Sequence, residues 1–303
     1  MKILAFLLVI VTSLYAHSEQ VVDPGYLPAN AEATYTGKNR PVVLVDAAHH
    51  NFHTLSGRYK PFAAVLESDG YVLKTNRLKF TEESLKEADV LVIVNALNEK
   101  NLNNWDLPNY SAFTREEIEV VYQWVKTGGS LFLIADHLPW PKASEELAEI
   151  FGFHFHNSYV EVIGHSEQYF EQNDRSLVPH IILNGIKPSH KVDSVRGFMG
   201  QGFLIPPNAR PLMTFTKPAI ALMPDKSFQF NESTPEISAT GWHQAATLEM
   251  DQGRVVVFGE AGMFTAQIDS DADEVWKMGL NADGAKQNER FLLNVMLWLC
   301  RKI

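Results

Sequence analysis

The stretch SLFLIADH, residues 130–137, is a short apolar run that ends in an aspartate and a histidine. It follows a pair of glycines at 128–129 and precedes SEELAEIFGF at 144–153. A continuous apolar run of this length is typical of a strand buried on both faces of a parallel sheet. The segment after it favours a helix. We therefore predict a strand–helix unit that carries ionisable groups where the strand ends.

The same unit recurs along the chain. Short apolar runs alternate with segments of helical character, which is the rhythm of a doubly wound, mostly parallel α/β sheet. Strands are predicted at PVVLVDA (41–47), YVLKTN (71–76), VLVIVNAL (90–97) and GRVVVFGEAG (253–262), and helices at KPFAAVLESDG (60–70), TEESLKEAD (81–89) and about 287–300.

The helix that follows Thr114 has the clearest local signals. Thr114 and Glu117 have the spacing of a capping box, and Phe113 and Ile118 stand where a hydrophobic staple needs them. The glycine pair at 128–129 ends this helix. These signals predict a helix that packs one apolar face on the sheet.

The alternating pattern also suggests how the chain is organised. Residues 17–40 form a mixed lead-in segment, and residues 41–303 form a single α/β domain. Within that domain, residues 153–250 break the rhythm with prolines, glycines and short apolar runs. We expect this region to be an irregular, β-rich insertion or an extension of the sheet.

The first sixteen residues resemble a secretory signal peptide. Lys2 provides a positive start, residues 3–14 are almost wholly apolar, and Ala16 offers a small residue for cleavage. A short membrane anchor is the alternative. Cleavage predicts a periplasmic or secreted protein that has no membrane contact afterwards.

Charge and motif content exclude several functions. The net charge of −10 and the lack of a basic cluster argue against a nucleic-acid partner. The single cysteine, Cys300, lies in an apolar C-terminal helix and is an improbable nucleophile. The chain has no G-x-S-x-G elbow, no phosphate-binding or dinucleotide-binding glycine motif and no H-E-x-x-H, so we expect neither a nucleotide nor a flavin cofactor.

Polar residues are concentrated at the carboxyl ends of the predicted strands, which is where ligands bind in open parallel sheets. Three of the eleven histidines fall within residues 49–53. An ordinary polar loop is the simplest explanation, and Asp136 could merely cap the next helix. The residues at these strand ends are Asp46, His49, His50, Asn51, His53, Asn95, Asn98, Asp136, His137 and Glu260.

Three kinds of site could use this set. A divalent metal such as Zn²⁺ or Mn²⁺ prefers imidazole and carboxylate ligands and acidifies bound water, and we assign Asp46, His49 and His137 as its ligands. Asp136 and Glu260 are the candidate catalytic residues, as general base, nucleophile or further ligand. Neutral polar groups could instead bind a sugar. His50, His53 and Asn95 are possible additional members.

The stretches WVKTGGSLFLIADH (124–137), GRVVVFGEAGMFTAQ (253–267) and MGLNADGAKQNERFLLNVMLWL (278–299) resemble the class I glutamine amidotransferase-like superfamily. The branch they resemble most holds ThuA-like and GldG-like proteins. The resemblance covers roughly residues 40–150 and 240–300 and implies a flavodoxin-like, three-layer sandwich. True amidotransferases carry a cysteine on the elbow where this chain has Ala135, Asp136 and His137, so the resemblance does not extend to glutamine hydrolysis.

We therefore expect a secreted or periplasmic hydrolase, metal-assisted, that acts on a small-molecule or carbohydrate ligand. The alternative is a noncatalytic module that binds a carbohydrate or a cell-envelope component. In that case Trp105, Tyr110 and Trp140, which follow the same strand ends, could stack on sugar rings.

Geometry decides between a functional cluster and a polar loop. In a doubly wound sheet the first strand lies next to the third, and the fourth lies one strand further, roughly 10 Å from the first. We expect at least one of His49, His50 and His53 to come within about 6 Å of Asp136 or His137, the range of strong charge coupling. Glu260 should lie nearby, in a pocket open to solvent.

Overall fold

The computed structural model describes residues 20–30, 32–269 and 276–303. The predicted signal segment, residues 1–16, lies outside them. The described helices are α1 (Lys60–Ser68), α2 (Glu82–Leu85), α3 (Arg115–Lys126), α4 (Trp140–Glu149) and α5 (Asn288–Leu299). The described strands are β1 (Gln20–Val22), β2 (Val42–Asp46), β3 (Val72–Asn76), β4 (Val90–Val94), β5 (Ser130–Ile134), β6 (His154–Phe155), β7 (Tyr159–Val162), β8 (Gln168–Glu171), β9 (Ser194–Gly197), β10 (Phe203–Leu204), β11 (Arg210–Thr214), β12 (Ala219–Leu222), β13 (Glu236–Ser238), β14 (His243–Met250), β15 (Gly253–Phe258), β16 (Ala266–Asp269) and β17 (Trp276–Gly279).

The chain has a mixed α/β fold built on one large sheet. Strands β3, β2, β4, β5 and β15 pair in that order and are all parallel. The predicted neighbours are confirmed, because β2 pairs with β4 and β4 pairs with β5. Their carboxyl ends therefore meet along one edge of the sheet.

The parallel strands are buried on both faces. In β4, Val90, Val92 and Val94 belong to one apolar core, and Leu91 and Ile93 belong to another. The first core includes residues of α1 and α5, and the second includes residues of α3 and α4. This two-sided burial explains why these strands read as continuous apolar runs rather than as alternating ones.

Residues 153–250 both extend the large sheet and build small antiparallel sheets beside it. Strands β14, β11, β10 and β6 continue the large sheet in antiparallel fashion. Strands β7, β12 and β13 form one small sheet, and β8 and β9 form another. The segments between these strands reach over the carboxyl edge of the parallel core.

The lead-in segment is ordered where the structure describes it. Strand β1 pairs with β16, which pairs with β17. The Tyr26 hydroxyl and the backbone N–H of Ala29 each donate to the Glu289 carboxylate on α5 at 2.9 Å. Within the described ranges, no helix is long and apolar enough to cross a membrane.

A buried ion network fixes the loop that follows β2. His49 Nδ1 lies 2.8 Å from Asp46 Oδ2, and His49 Nε2 lies 3.0 Å from Glu117 Oε1. Glu117 is also the N3 residue of the capping box that Thr114 forms at the start of α3, as predicted. Burial lowers the pKa of His49, but the hydrogen bonds and charges of Asp46 and Glu117 outweigh burial and raise it. The network therefore joins β2 to α3 through an imidazolium.

The raised pKa of His49 predicts a pH dependence of stability. Its contribution is fully present below the unfolded value of about 6.5 and is lost as pH rises through the folded value. We expect His49→Gln to lower the free energy of unfolding by about 3 kcal/mol at pH 6, because two buried carboxylates lose their cation. The same variant should flatten the fall in stability above pH 6.5, measured by urea denaturation.

His50→Gln is the matched control, because His50 is exposed and adjacent. His50→Gln should change neither the free energy of unfolding at pH 6 nor the fall in stability above pH 6.5. Equal behaviour of the two variants would show that the network does not hold the fold.

Candidate functional site

A cavity of about 310 Å³ lies at the carboxyl edge of the parallel core. The loop after β2, the elbow after β5 and the turn after β15 each contribute to its wall. Strands β1, β16 and β17 and the segments at 198–199 and 228 close the remaining sides. The lining residues are Gln20, Phe52, His53, Arg58, Asp136, His137, Trp140, Phe198, Met199, Phe228, Glu260, Gly262, Gln267, Trp276 and Met278.

Asp136 joins the ends of two parallel strands. Its Oδ1 accepts from the His137 N–H at 2.8 Å, and its Oδ2 accepts from the Ala261 N–H, after β15, at 3.0 Å. It does not cap α4, whose N-cap position is Pro139 with no side-chain cap bond. Burial raises the pKa of Asp136, and the charge of His137 and the backbone N–H groups oppose that rise.

Glu260 is the second buried carboxyl group of the wall, with 1% of its surface exposed. Both of its oxygens accept from the Met263 N–H at 3.0 Å. Burial, followed by the charge of Asp136, raises the pKa of Glu260 well above its usual value. Among the described residues, neither carboxyl group forms an ion pair with lysine or arginine. Burial and mutual repulsion therefore disfavour the state in which both carboxyl groups are ionised.

Asn95 connects this pair to the first of two buried histidines. It has a left-handed backbone, with φ of 48°, which asparagine tolerates better than most residues. Its Oδ1 accepts from the Asp136 N–H at 2.9 Å, and its Nδ2 donates to His53 Nδ1 at 3.1 Å. The proton of the neutral His53 ring is therefore on Nε2. Burial, with Arg58 and His137, lowers the pKa of His53 to about 3.

His137 is held as the opposite tautomer. Its Nδ1–H donates to the Leu138 carbonyl at 2.8 Å, which leaves Nε2 as an acceptor. Its ring stacks on Tyr159 with centroids 4.5 Å apart, and Trp140 and Phe228 each lie 4.8 Å away. Burial lowers the pKa of His137. The wall thus offers one neutral imidazole as donor and the other as acceptor.

The structure divides the sequence-predicted residues into two groups. His53, Asp136, His137 and Glu260 line the cavity, and Asn95 supports them from behind. The other predicted residues lie elsewhere: Asp46 and His49 in the ion network, and His50 on the surface.

The predicted ligand set of Asp46, His49 and His137 does not form one metal site. Both ring nitrogens of His49 are engaged by Asp46 and Glu117. Within the described ranges, no group of three or more histidine, cysteine, aspartate or glutamate residues is placed to hold a metal ion. Asp46, His49 and His137 are therefore not placed to hold a metal ion together in the part of the chain that the structure describes.

The three aromatic residues predicted to stack on a sugar lie in different places. Trp140 lines the cavity, whereas Trp105 packs against Phe52 and Trp140. Tyr110 lies under Lys100, 4.6 Å from its amino group. Sequence reasoning missed Phe52 and Arg58, which lie in the same loop as His53, and Phe228, which reaches the cavity from the irregular region. It also missed Tyr159, which stacks on His137.

The single cysteine lies away from the cavity that holds Asp136 and Glu260. Cys300 follows α5 and lines a separate cavity with the glycine pair at 128–129, at the amino ends of the parallel strands. Burial raises the pKa of its thiol to about 12, so the thiolate is scarce at neutral pH. The elbow after β5 carries Ala135, Asp136 and His137 and no cysteine.

No family model and no curated protein sequence matches this chain. The mmIFT52 N-terminal domain superposes with a TM-score of 0.59 and 15% identity, over 85% of this chain and 97% of that one. The cytoplasmic protein STM3548 from Salmonella typhimurium gives a TM-score of 0.49 and 12% identity, over 85% and 98%. A putative ThuA-like protein from Bacteroides uniformis ATCC 8492 gives 0.43 and 12%, over 88% and 94%. The chain thus shares its fold with the mmIFT52 N-terminal domain and is loosely similar to a ThuA-like protein.

Proposed function

We propose that the cavity is the active site of a hydrolase in which Asp136 and Glu260 move the proton. The observation that carries this proposal is the carboxyl pair itself. Two buried acids share one wall, interact through their charges, and have backbone N–H groups rather than cations as partners. Groups perturbed in this way, by burial and by each other, are typical of acid–base sites.

The two carboxyl groups suit different roles. Glu260 has the pKa that is raised by both burial and its neighbour, so it holds the shared proton and donates it to the leaving group. Asp136 accepts N–H bonds on each oxygen, which favours its ionised form, and it takes a proton from the attacking water. Water adds to the substrate as the scissile bond breaks, so Glu260 loses one proton to the leaving group and Asp136 gains one from the water. The pair still holds a single proton, and its return from Asp136 to Glu260 completes the cycle.

His53 and His137 position the substrate in this proposal. The Nε2–H of His53 donates to a substrate carbonyl or ether oxygen, and Nε2 of His137 accepts from a hydroxyl or amide N–H. Because burial keeps both rings neutral, the site favours an uncharged polar group. Neither ring competes with the carboxyl pair for the proton near neutral pH.

The proposed steps use no metal, because His49 is engaged by Asp46 and Glu117 and the described cavity residues do not group as metal ligands. Metal assistance can be tested directly by elemental analysis of protein purified without added metal. We expect substoichiometric Zn and Mn, and no change of Tm when Zn²⁺ is added at equimolar concentration. A stoichiometric metal would restore the metal-assisted mechanism.

We also propose the finer description of the fold and the location. The order β3, β2, β4, β5, β15 and the likeness to the mmIFT52 N-terminal domain support a flavodoxin-like member of the class I glutamine amidotransferase-like superfamily. The N-terminal pattern of residues 1–16 supports export to the periplasm or beyond.

The alternative function is noncatalytic binding of a carbohydrate or a cell-envelope component. Phe52, Trp140, Phe228 and Trp276 all line the cavity, and aromatic rings commonly stack on ligand rings. A thermal shift with sugars, without turnover of any glycoside or ester, would favour this alternative.

The carboxyl pair predicts which substitutions abolish turnover. We expect Asp136→Asn and Glu260→Gln each to lower kcat/KM by about 10²-fold or more, because each removes one proton-transfer group. The measurement is hydrolysis of p-nitrophenyl acetate and a panel of p-nitrophenyl glycosides. Glu146→Gln, an exposed acid on α4, is the matched control and should retain full activity. Equal activity of all four proteins would exclude the pair from catalysis.

The pH profile should identify the proton donor. Glu260 must be protonated to act, so kcat/KM should fall as pH rises through its raised pKa. At low pH, protonation of Asp136 should lower the rate, which gives a bell-shaped profile. In Glu260→Gln the alkaline limb should disappear from the residual activity. A profile that is identical in this variant would assign the donor to another group.

A further inference from the structure

The segment 225–230 contributes Phe228 to the cavity wall and holds it in an unusual conformation. Phe228 has a φ of 58°, in the left-handed region that bulky residues seldom adopt. Its side chain is 53% exposed, yet it lines the cavity. A bulky residue with this backbone persists only where its surroundings enforce it, and such residues cluster at ligand sites.

Four hydrogen bonds enforce this conformation. The Phe228 N–H donates to the Tyr159 hydroxyl at 3.2 Å, and that hydroxyl lies 2.8 Å from Ser227 Oγ. On the other side, the Ser227 N–H donates to Asp106 Oδ1 at 2.9 Å, and the Asp225 carbonyl accepts from the Leu107 N–H at 2.9 Å. The segment is therefore fixed to the loop at 105–108 and to β7.

Only about half of the surface of Phe228 is buried by contacts within the protein. The ring meets His137 edge-to-face at 4.8 Å and Tyr159 at 5.2 Å. Its remaining surface is open to the cavity and to solvent, although burial of an aromatic ring is favourable. A strained backbone thus presents an apolar surface directly above the imidazole that we assign to substrate binding.

Several polar groups of the wall already have protein partners, although Trp140 Nε1 has none among the described residues. The Gln267 amide bonds Thr265 and Arg58, Arg58 also donates to the Gln20 carbonyl, and both carboxyl groups accept backbone N–H bonds. A polyhydroxylated ring would need a partner for each hydroxyl that it buries. A flat apolar ring needs none, and Phe52, Trp140, Trp276 and the methionines at 199 and 278 offer it further contacts.

We propose that Phe228 is a specificity-determining residue and that the substrate carries an uncharged aromatic ring next to its scissile polar group. The ring lies against Phe228, and the polar group lies against His53, His137 and the carboxyl pair. This inference rests on the proposed function, since it names the substrate class of the same site.

The test compares Phe228 with a neighbouring phenylalanine. Phe230 is 41% exposed and contacts Tyr159 at 5.1 Å, but it does not line the cavity. Dissociation constants of benzamide, isobutyramide and methyl β-D-glucoside are measured by NMR titration of the full chain. We expect wild type to bind benzamide most tightly, and Phe228→Ala to weaken benzamide by about fivefold, as for loss of one aromatic pair, with little change for isobutyramide. Phe230→Ala should match wild type.

Phe228→Gly separates the ring from the backbone. Glycine adopts the left-handed conformation freely, so this variant should melt above Phe228→Ala while losing the same benzamide affinity. The inference is overturned if wild type does not bind benzamide, if the glucoside binds more tightly, or if Phe228→Ala weakens both amides equally.

Turnover keeps the two proposals apart. The rates at which wild type, Asp136→Asn and Phe228→Ala hydrolyse phenyl acetate and ethyl acetate are measured. Phe228-dependent benzamide binding without any hydrolysis would leave this inference standing and remove the hydrolase. If hydrolysis depends on Asp136 but does not change in Phe228→Ala, the hydrolase proposal stands and the inference about Phe228 is overturned.

Discussion

The candidate site depends on the hydrogen bonds of one asparagine. Asn95 donates its backbone N–H to the Ile134 carbonyl and accepts from the Phe52 N–H, while its amide engages Asp136 and His53. The polar groups of this buried residue, at the end of β4, therefore bind two other segments, the end of β5 and the loop after β2, and the three strand ends take up one arrangement. A buried amide that lost one partner would leave that group unsatisfied, at a cost of about 1–3 kcal/mol. The same bonds that stabilise the edge of the sheet thus set the proton on His53 and the position of Asp136.

The electrostatic character of the cavity follows from burial. Two carboxyl groups and two imidazoles lie in a wall where charge is poorly solvated, so each is driven toward its neutral form. A water molecule takes up about 30 Å³ in the liquid, so a cavity of about 310 Å³ can hold a small ligand and solvent together. By contrast, His49 is also buried but lies between two carboxylates, and its pKa moves upward. The charges of neighbouring residues, rather than the degree of burial, therefore distinguish the pKa of His49 from those of the two cavity histidines.

The sequence patterns predicted those features of the fold that depend on residues close together in the chain. The apolar runs predicted the parallel strands and their neighbours, and Thr114 with Glu117 predicted the start of α3, which the structure confirms. The direction in which each histidine points was not predictable, because His49 turns to a glutamate 68 residues away. Phe228 and Tyr159 belong to the irregular region, whose segments reach the cavity through long-range contacts that leave no periodic signal. The sequence therefore indicated the edge that carries the site better than it indicated the members of the site.

The position of β1 has a consequence for how the cavity meets its surroundings. Gln20 begins this strand and also belongs to the cavity wall, where its carbonyl accepts from Arg58. Strand β1 pairs with β16, which pairs with β17, and Gln267 and Trp276 of those two strands line the same cavity. One small antiparallel sheet therefore closes this side of the cavity, separate from the parallel strands that carry Asp136 and Glu260. A shift of that small sheet would change the shape of the cavity while leaving the acid pair in place.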